Sequence, residues 1–205
     1  MKNLNPRIKS IVCPLIFVLF ILLSGACHQG YLFPRIKIES TLGNIELELY
    51  PDKAPKTVSS FLTLIDAGFF KNSSFYRVLK SEDQPSSAFK TDLVQGGVWQ
   101  SNNGSSQGLH GIPHECTNIT GLLHKNGVIS MARNSPGSAT SEFFICIGDQ
   151  PAFDFGGNAN PDKEGFAAFG QVINGMDVVR IIHDQPDYNG SLRPAITIDN
   201  IVRLK

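Results

Sequence analysis

The sequence has no excess of charge of either sign. Its 205 residues include 18 Lys or Arg and 18 Asp or Glu, so the formal net charge is zero. Nucleic-acid-binding domains usually carry a basic patch or stripe, and this balance argues against a nucleic-acid partner. A hydrophobic content of 41%, with 19 Gly and 12 Pro, also argues against a disordered chain and favours a turn-rich globular fold.

Cysteine is scarce in the part of the chain that can fold. Of four cysteines, Cys13 and Cys27 lie near the N-terminus, which leaves Cys116 and Cys146 for the rest. One pair does not make a disulfide framework. Cys146 stands inside an apolar run, where a buried free thiol is the more common state. The sequence leaves open whether this pair is bonded.

Motifs for metal or covalent chemistry are weak. His110, His114 and Cys116 have the spacing of metal ligands, but they lie in a loop with no fourth ligand evident. Ser130 and Ser141 lack the G-x-S-x-G elbow of a nucleophilic serine. We therefore expect no metal site and no cofactor.

The N-terminal apolar run is too short to span a bilayer. Ile11–Leu23 has 13 residues, about 20 Å of helix against a bilayer core of about 30 Å. Three basic residues precede the run, and Ser24-Gly25-Ala26 leads into Cys27. This arrangement resembles a bacterial lipoprotein leader. We predict a signal peptide over 1–26, lipid on Cys27 and a linker over 27–34; secretion without lipid and an uncleaved anchor are the alternatives.

Such a leader places the protein in the cell envelope, as a membrane-anchored lipoprotein facing the periplasm. We expect a monomer, tethered to the membrane through lipidated Cys27. A lipid on a single cysteine would hold the domain at the surface without spanning the membrane.

After the linker, the sequence predicts mostly short strands. Arg35–Glu39 and Ile45–Leu49 alternate apolar and charged residues around a turn, which indicates a hairpin. The last strand, Ala195–Leu204, is predicted to turn Ile196, Ile198 and Val202 inward. About eight strands can be counted, and closure into a barrel would remove their exposed edges.

Two segments have helical periodicity instead. In Pro51–Gly68, apolar residues recur at i, i+3, i+4 and i+7, from Val58 to Ile65. Asn174 is a predicted N-cap for a second helix that ends before Pro186. Both helices are amphipathic and are expected to pack on the sheet.

Gly127–Gly148 is the stretch around which we expect the rest of the fold to be organised. Val128–Arg133 and Phe143–Ile147 read as buried strands joined by a loop of small residues. Ala132 offers space and Phe144 offers a flat face, a combination that suits an apolar pocket. A plain core hairpin is the alternative interpretation.

Five sequence blocks follow one another along the chain. They are Phe75-Tyr76-Arg77-Val78, Gln95-Gly96-Gly97, Ser130-Met131-Ala132-Arg133, Ser141-Glu142-Phe143-Phe144-Ile145 and Phe169-Gly170-Gln171-Val172. In this order they resemble the cyclophilins, and the resemblance covers about Arg35 to Lys205. It implies a closed eight-stranded antiparallel barrel capped by two helices, mainly β, that isomerises X-Pro peptide bonds in proline-containing polypeptides.

The resemblance also implies roles for particular residues. Arg77 matches the catalytic arginine, and Gln95 matches the glutamine that orients it and contacts the substrate backbone. Leu93, Ala132 and Phe144 match residues that shape the proline pocket.

Four further positions match substrate-binding residues while differing in type. Arg133 stands where an asparagine often meets the peptide backbone, and Glu142 stands where glutamine is common. Phe153 lies near the pocket rim, in a loop over 149–154 that has no tryptophan, and Phe166 stands where the family often has a histidine or tyrosine. The loop 81–92 is longer than usual and is expected to be exposed.

The reaction expected of such a site is rotation about the X-Pro peptide bond. Prolyl isomerisation breaks no bond, because its barrier of about 18–20 kcal/mol is amide resonance. A guanidinium aimed at the proline nitrogen would bind the twisted amide better than either planar isomer. The sequence therefore predicts an isomerase for exported proteins, with a proline-peptide binding module or chaperone as the alternative.

Overall fold

The computed structural model describes residues 32–87, 90–100 and 108–205. The predicted signal peptide, the lipidation site Cys27 and the start of the linker lie outside these ranges. No helix within the described ranges is both long enough and apolar enough to cross a membrane.

Eight strands close into an antiparallel barrel. The ring runs β1-β2-β7-β5-β6-β4-β3-β9 and returns to β1, while β8 pairs with β9 outside it. This confirms the predicted barrel and adds a ninth, two-residue strand. The strands are β1 (Arg35–Ser40), β2 (Gly43–Leu49), β3 (Ser73–Leu79), β4 (Leu93–Gly97), β5 (Val128–Met131), β6 (Phe143–Cys146), β7 (Ala167–Asn174), β8 (Asp187–Tyr188) and β9 (Ser191–Leu204).

The first hairpin forms as predicted. β1 pairs with β2 in the register Ile36↔Leu47 and Ile38↔Ile45, and all four side chains are fully buried. Lys37 and Glu46 face the other way. One residue of the last strand differs from the prediction, because Ile201 rather than Val202 is buried in the core.

The register of β9 against β1 explains this difference. Glu39 pairs with Asn200, but Ser40 pairs with Ile198, so the ladder shifts by one residue between them. A bulge of this kind reverses which alternate side chains face inward beyond it. Strict alternation from Ile198 therefore assigns the wrong face to Val202.

Within the residues that the structure describes there are three α-helices: α1 (Pro55–Asp66), α2 (Thr117–Thr120) and α3 (Met176–His183). α1 buries the predicted apolar stripe, and its Phe61 ring lies 5.0 Å from those of Phe70 and Phe169. The single turn α2 was not predicted. Near α3 the N-cap is Gly175, with φ of 90°, rather than Asn174.

A close backbone approach accounts for Gly175. A Cβ at this position would collide with the carbonyl oxygen of Asn44, and the positive φ already favours glycine. No side-chain cap is therefore present at this helix start.

The barrel has an apolar cluster on each side of one part of its wall. Phe143 is fully buried in the barrel interior with Phe75 and Val94. Its neighbour Phe144 points to the opposite face and packs with Leu93 in a second cluster. This outer cluster is where the predicted pocket residues gather.

Candidate active site

Strand register places the two predicted catalytic residues beside the predicted pocket. Arg77 of β3 pairs with Gln95 of β4, and Gln95 pairs with Phe144 of β6. Phe144 in turn pairs with Ser130 of β5. One row of paired residues thus crosses four strands, although these residues are far apart in sequence.

A bulge at Tyr76 turns Arg77 outward. Phe75 pairs with Gly96 and Arg77 pairs with the next residue, Gln95, so Tyr76 is an extra residue in β3. Phe75 and Val78 are both fully buried, whereas Arg77 is exposed. Regular alternation from Phe75 would have pointed Arg77 into the core. The bulge presents Tyr76 and Arg77 together on the outer face.

Aromatic rings form the floor of the groove. The Phe144 ring lies 5.3 Å from Phe153 and 5.2 Å from Phe166, and both contacts are edge-on. Leu93, Phe144 and Phe153 are each at least 95% buried. The rings are thus held by one another, and their upper edges offer an apolar surface.

The groove above this floor has a volume of about 690 Å³, in the range of small-ligand sites. It brings together every residue predicted for the site. Those residues are Arg77, Leu93, Gln95, Ala132, Arg133, Glu142, Phe144, Phe153 and Phe166.

Several groove residues were not found from the sequence. The clearest is Trp99, the only tryptophan in the chain, which is 69% exposed and lines the groove. Its position just after the Gly96-Gly97 pair was the available signal. The others are Tyr76, Leu79, Asn134, Ser138, Thr140, Ala159 and Asn160.

A chain of hydrogen bonds leads from Glu142 to Arg77. Arg77 Nη1 donates to Gln95 Oε1 at 3.1 Å, and Gln95 Nε2 donates to the Tyr76 hydroxyl at 2.7 Å. The Tyr76 hydroxyl donates to Glu142 Oε2 at 2.8 Å. Four side chains from two strands, β3 and β4, and the loop before β6 are thereby connected.

The direction of this chain is fixed by what each group can donate. Arginine only donates, so Gln95 must turn its oxygen toward Arg77 and its NH₂ toward Tyr76. The Tyr76 hydroxyl then accepts from Gln95, and its own proton is directed to Glu142. An ionised carboxylate only accepts, so the charge on Glu142 is consistent with every bond in the chain.

Glu142 is a half-buried group that anchors the end of this chain. Its Oε1 accepts from the Val98 N–H at 3.0 Å and from the Ser141 hydroxyl at 3.1 Å. Burial raises the pKa of Glu142, and the hydrogen bond from Tyr76 opposes that rise. Burial also raises the pKa of Tyr76, with the Glu142 charge adding to the effect, so Tyr76 keeps its proton.

Gly97 makes room for this carboxylate. Its φ is 144°, and a Cβ at this position would collide with the Glu142 carboxylate. Of the two glycines that follow Gln95, the second is therefore required for steric reasons.

Arg133 is already bonded within the protein. Its two terminal nitrogens bind the Asp162 carboxylate at 2.8 Å each, and its Nε donates to the Gly165 carbonyl at 2.8 Å. The guanidinium carbon lies 5.3 Å from the centroid of the Phe166 ring. The bond from Arg133 lowers the pKa of Asp162 to about 2. In this conformation Arg133 links Asp162 and Gly165 to the Phe166 ring in the pocket wall.

A buried histidine supports the floor from behind. His124 stacks on Phe144 with an interplanar angle of 14°. Its Nδ1 lies 2.7 Å from Asp154 Oδ1, and its Nε2 lies 2.9 Å from the Ser130 hydroxyl. This order of groups is that of a serine hydrolase, but Ser130 has no exposed surface. A substrate carbonyl therefore cannot reach its oxygen, and the three residues hold Phe144 in place.

The segment between β3 and β4 is more structured than predicted. Ser81–Asp83 forms a short 3₁₀ helix, and the Ser81 N–H donates to Asp92 Oδ1 at 2.8 Å. Thr91 is buried. The prediction of a wholly exposed loop over 81–92 is therefore wrong at its ends, where backbone groups are bonded.

Comparison with known proteins identifies the family. Residues 35–203 match the family described as cyclophilin type peptidyl-prolyl cis-trans isomerase/CLD. The chain belongs to the cyclophilins. Its activity is accordingly that of a peptidyl-prolyl cis–trans isomerase.

Relatives of this cyclophilin include bacterial enzymes. It is 36% identical to a peptidyl-prolyl cis-trans isomerase of Acinetobacter baylyi over 152 residues, 74% of this chain and 72% of the relative. It is 32% identical to peptidyl-prolyl cis-trans isomerase A of Dickeya dadantii over 171 residues, 83% and 82% of the two chains.

A solved cyclophilin has the same fold. The Cryptosporidium parvum cyclophilin type isomerase, crystallised in the presence of the dipeptide Ala-Pro, aligns with a TM-score of 0.65 at 22% identity. The alignment covers 83% of this chain and 99% of that one. The barrel of the present chain is thus the cyclophilin barrel.

Proposed function

We propose that this cyclophilin isomerises X-Pro bonds of exported proteins, with Arg77 as the group that stabilises the twisted amide. The observation that carries the assignment of Arg77 is its position. It is exposed at the edge of an apolar groove, and Gln95 holds it from one side. An arginine has five N–H donors in a planar fork, so a bond to Gln95 leaves donors for a substrate.

Different parts of the groove would contact the ring and the amide of a substrate proline. Phe144, Leu93 and Ala132 present an apolar surface on which a pyrrolidine ring can rest. Arg77 and Gln95 lie at the edge of that surface, where the amide of the same proline would be. With the ring held, the preceding residue is free to rotate about the C–N bond.

Arg77 would act on the transition state rather than on either planar isomer. Rotation removes amide resonance and localises a lone pair on the proline nitrogen. A charged donor gains strength as that lone pair forms, which is the condition for catalysis. An acceleration of about 10⁵-fold requires about 7 kcal/mol, which a well-placed guanidinium, a dry floor and a held ring supply together.

The substrate class follows from the family and the groove. The Cryptosporidium protein was crystallised in the presence of Ala-Pro, and the present groove has an apolar floor on which a proline ring can rest. We propose that the substrates are unfolded or folding polypeptides containing proline, bound by a monomer. Restriction to exported proteins rests on the N-terminal sequence, with its short apolar run and Cys27.

Isomerisation is tested by exchange NMR of a short Ala-Pro peptide with the full-length chain in mild detergent. We expect fast cis–trans exchange for the native protein and a loss of about 100-fold or more in Arg77→Ala, in line with removal of a preorganised donor. Arg77→Lys keeps the charge without the planar fork and should recover little of the rate.

Binding is followed in the same samples by Trp99 fluorescence, since this tryptophan lines the groove. Peptide binding with native exchange in Arg77→Ala would contradict the role of Arg77. Binding without accelerated exchange in the native protein would favour a peptide-binding module instead.

A further inference from the structure

Outside the groove, two connecting segments meet near its far wall. The segment that leads into α2 carries His114 and Cys116, and the loop before β7 carries Glu164. His114 Nε2 lies 3.1 Å from the backbone carbonyl of Glu164. The Phe155 N–H donates to the Thr117 hydroxyl at 2.8 Å, which joins the same two parts of the chain.

Three different metal-ligating groups converge at this meeting point. One ligand atom each from His114, Cys116 and Glu164 lies within 4.8 Å of the other two. Within residues 32–87, 90–100 and 108–205, no other such group of three or more His, Cys, Asp or Glu is present. Cys116 and Glu164 are 48 positions apart in the chain, so the fold alone brings the carboxylate to the thiol.

The spacing suits a small divalent cation. Zinc binds sulfur at about 2.3 Å and nitrogen or oxygen at about 2.0–2.2 Å, so ligand atoms around it lie roughly 3.3–3.8 Å apart. His114 and Glu164 are partly exposed and can rotate by the small amount needed, while Cys116 is 4% exposed and fixed.

The hydrogen bond of His114 favours metal binding over a chance cluster. A carbonyl oxygen only accepts, so Nε2 must donate to Glu164, which leaves Nδ1 as the nitrogen available to a metal. Metal-ligating histidines are commonly oriented in this way, by a second ring nitrogen that donates to a carbonyl.

Charge balance points to the same class of ion. A thiolate and a carboxylate together carry two negative charges, and a divalent cation would neutralise them in this partly buried place. Sulfur, imidazole and carboxylate ligands in one site are typical of zinc rather than of magnesium or calcium.

We propose that His114, Cys116 and Glu164 form a binding site for a zinc-class divalent cation. The three side chains supply three ligands, and water completes a tetrahedral shell. Binding releases the thiol proton of Cys116 to solvent. The site is independent of the proposed role of Arg77.

The site has a structural consequence for the groove wall. The Glu164 N–H donates to Asp162 Oδ1 at 2.9 Å, and Asp162 binds the guanidinium of Arg133, which lies over the Phe166 ring. A metal bound by Glu164 therefore fixes the loop that holds this wall. Metal binding to the folded state alone also raises its stability.

The experiment uses the full-length chain in mild detergent, freed of metal with a chelator. Isothermal titration with ZnCl₂ is expected to show one equivalent bound, with a rise in the Tm. CoCl₂ is expected to give a thiolate-to-cobalt charge-transfer band and the visible bands of tetrahedral cobalt. Cys116→Ser should remove the charge-transfer band, and His114→Gln and Glu164→Gln should each weaken binding at least about tenfold.

Matched controls separate this site from other ligands. Cys13→Ser, Cys27→Ser and Cys146→Ser test the remaining thiols, and His110→Gln tests the neighbouring exposed imidazole. All four should leave affinity and the cobalt spectrum unchanged. Because Glu164 is on the surface, Glu164→Gln should fold even if Cys116→Ser does not.

The proposal is overturned if the native chain binds neither zinc nor cobalt. It is also overturned if Glu164→Gln and Cys116→Ser bind as the native chain does, or if a control removes the signal. These readouts do not involve the isomerase rate, so a failure of the proposed catalytic role would leave them unaffected.

Discussion

At the scale of single residues, the position of Arg77 depends on a chain of three other side chains. Gln95 accepts a hydrogen bond from Arg77, and the Tyr76 hydroxyl accepts one from Gln95. Glu142 accepts the hydrogen bond that Tyr76 donates and so fixes the direction of the Tyr76 hydroxyl. Each link has one allowed direction, because arginine only donates and a carboxylate only accepts. Tyr76 and Glu142 are therefore positioning residues for Arg77.

Tyr76→Phe tests the middle of this chain. The variant removes one hydroxyl, so the Gln95 NH₂ loses its acceptor and the side chain is held less firmly against Arg77. We expect kcat/KM for an Ala-Pro peptide to fall about 5- to 30-fold, equivalent to about 1–2 kcal/mol, with little change in peptide affinity. Exchange NMR measures the rate and Trp99 fluorescence the affinity. Tyr50→Phe is the matched control, and an equal loss there would mean that the effect is not specific.

The ionisation of Glu142 predicts a pH dependence. Its pKa is raised by burial, so it becomes neutral at a higher pH than an ordinary glutamate, whose pKa is about 4.3. Once protonated, it no longer imposes the direction of the Tyr76 hydroxyl, whose proton can then turn toward Gln95 and disturb the bond from the Gln95 NH₂. Gln95 is then held less firmly against Arg77. The isomerisation rate is expected to fall as the pH drops through this pKa.

Glu142→Gln is the matched variant for this prediction. It should have a reduced rate that does not change over the same mildly acidic range, as measured by exchange NMR. A native rate that is flat with pH, or a variant with the native pH profile, would show that the charge of Glu142 does not act on Arg77.

At the scale of elements, β8 and the start of β9 close the edge of β3 beyond Arg77. The Gly190 carbonyl accepts from the Val78 N–H at 2.8 Å, and the Gly190 N–H donates to Asp187 Oδ1 at 2.8 Å. Lys80 Nζ binds Asp187 Oδ2 at 2.8 Å, with both side chains about 85% buried. This pair joins β3 to the β8–β9 hairpin.

The Lys80–Asp187 pair predicts a contribution to stability that acid removes. The bond from Lys80 lowers the pKa of Asp187 in the folded state. The contribution is therefore complete above the unfolded pKa of about 3.9. It disappears as the pH falls through the lower folded value.

Asp187→Asn should lose about 1–3 kcal/mol of unfolding free energy at pH 7. The difference from the native protein should shrink below about pH 4. Urea unfolding at several pH values measures it, with the exposed Asp184→Asn as control. A difference that stays constant with pH would mean that the ion pair is not its cause.

The elements differ in how far the sequence could predict them. The β1–β2 hairpin and α1 follow from local periodicity, and their buried residues are those predicted. The bulges at Tyr76 and in β9 do not, because each depends on which partner strand lies beside it. The contact of Arg133 with Asp162 is likewise hidden, since these two residues are 29 positions apart and come together only in the folded barrel.

The site was predictable to a similar extent. All nine site residues named from the sequence line one groove, because the motifs carry the order of the strands. Their hydrogen bonds were not predictable. Glu142 was expected simply to place a charge beside the groove, whereas both of its oxygens are bonded inside the protein.

At the scale of the whole molecule, the barrel and the N-terminal segment have separate roles in this proposal. The barrel contains the groove, and residues 1–27 contain the predicted signal peptide and lipidation site. If Cys27 is lipidated, the native chain produced in a bacterium should pellet with membranes and incorporate a labelled fatty acid. Cys27→Ala should lose the label.

The matched control for lipidation is Cys13→Ala, which removes a thiol within the predicted signal peptide. This variant should keep both the label and the membrane fraction. Recovery of unlabelled native protein in the soluble periplasmic fraction would favour plain secretion. Unlabelled native protein that keeps its full N-terminus in the membrane would favour an uncleaved anchor.

The most direct test of the central proposal is a double-mutant cycle on the exchange rate of one Ala-Pro peptide. The native chain, Arg77→Ala, Tyr76→Phe and the double variant are compared at equal occupancy, set by Trp99 fluorescence. If Tyr76 acts through Arg77, the Tyr76→Phe change should cost nothing once Arg77 is absent. Native exchange in Arg77→Ala, or fully additive losses in the double variant, would contradict the proposed mechanism.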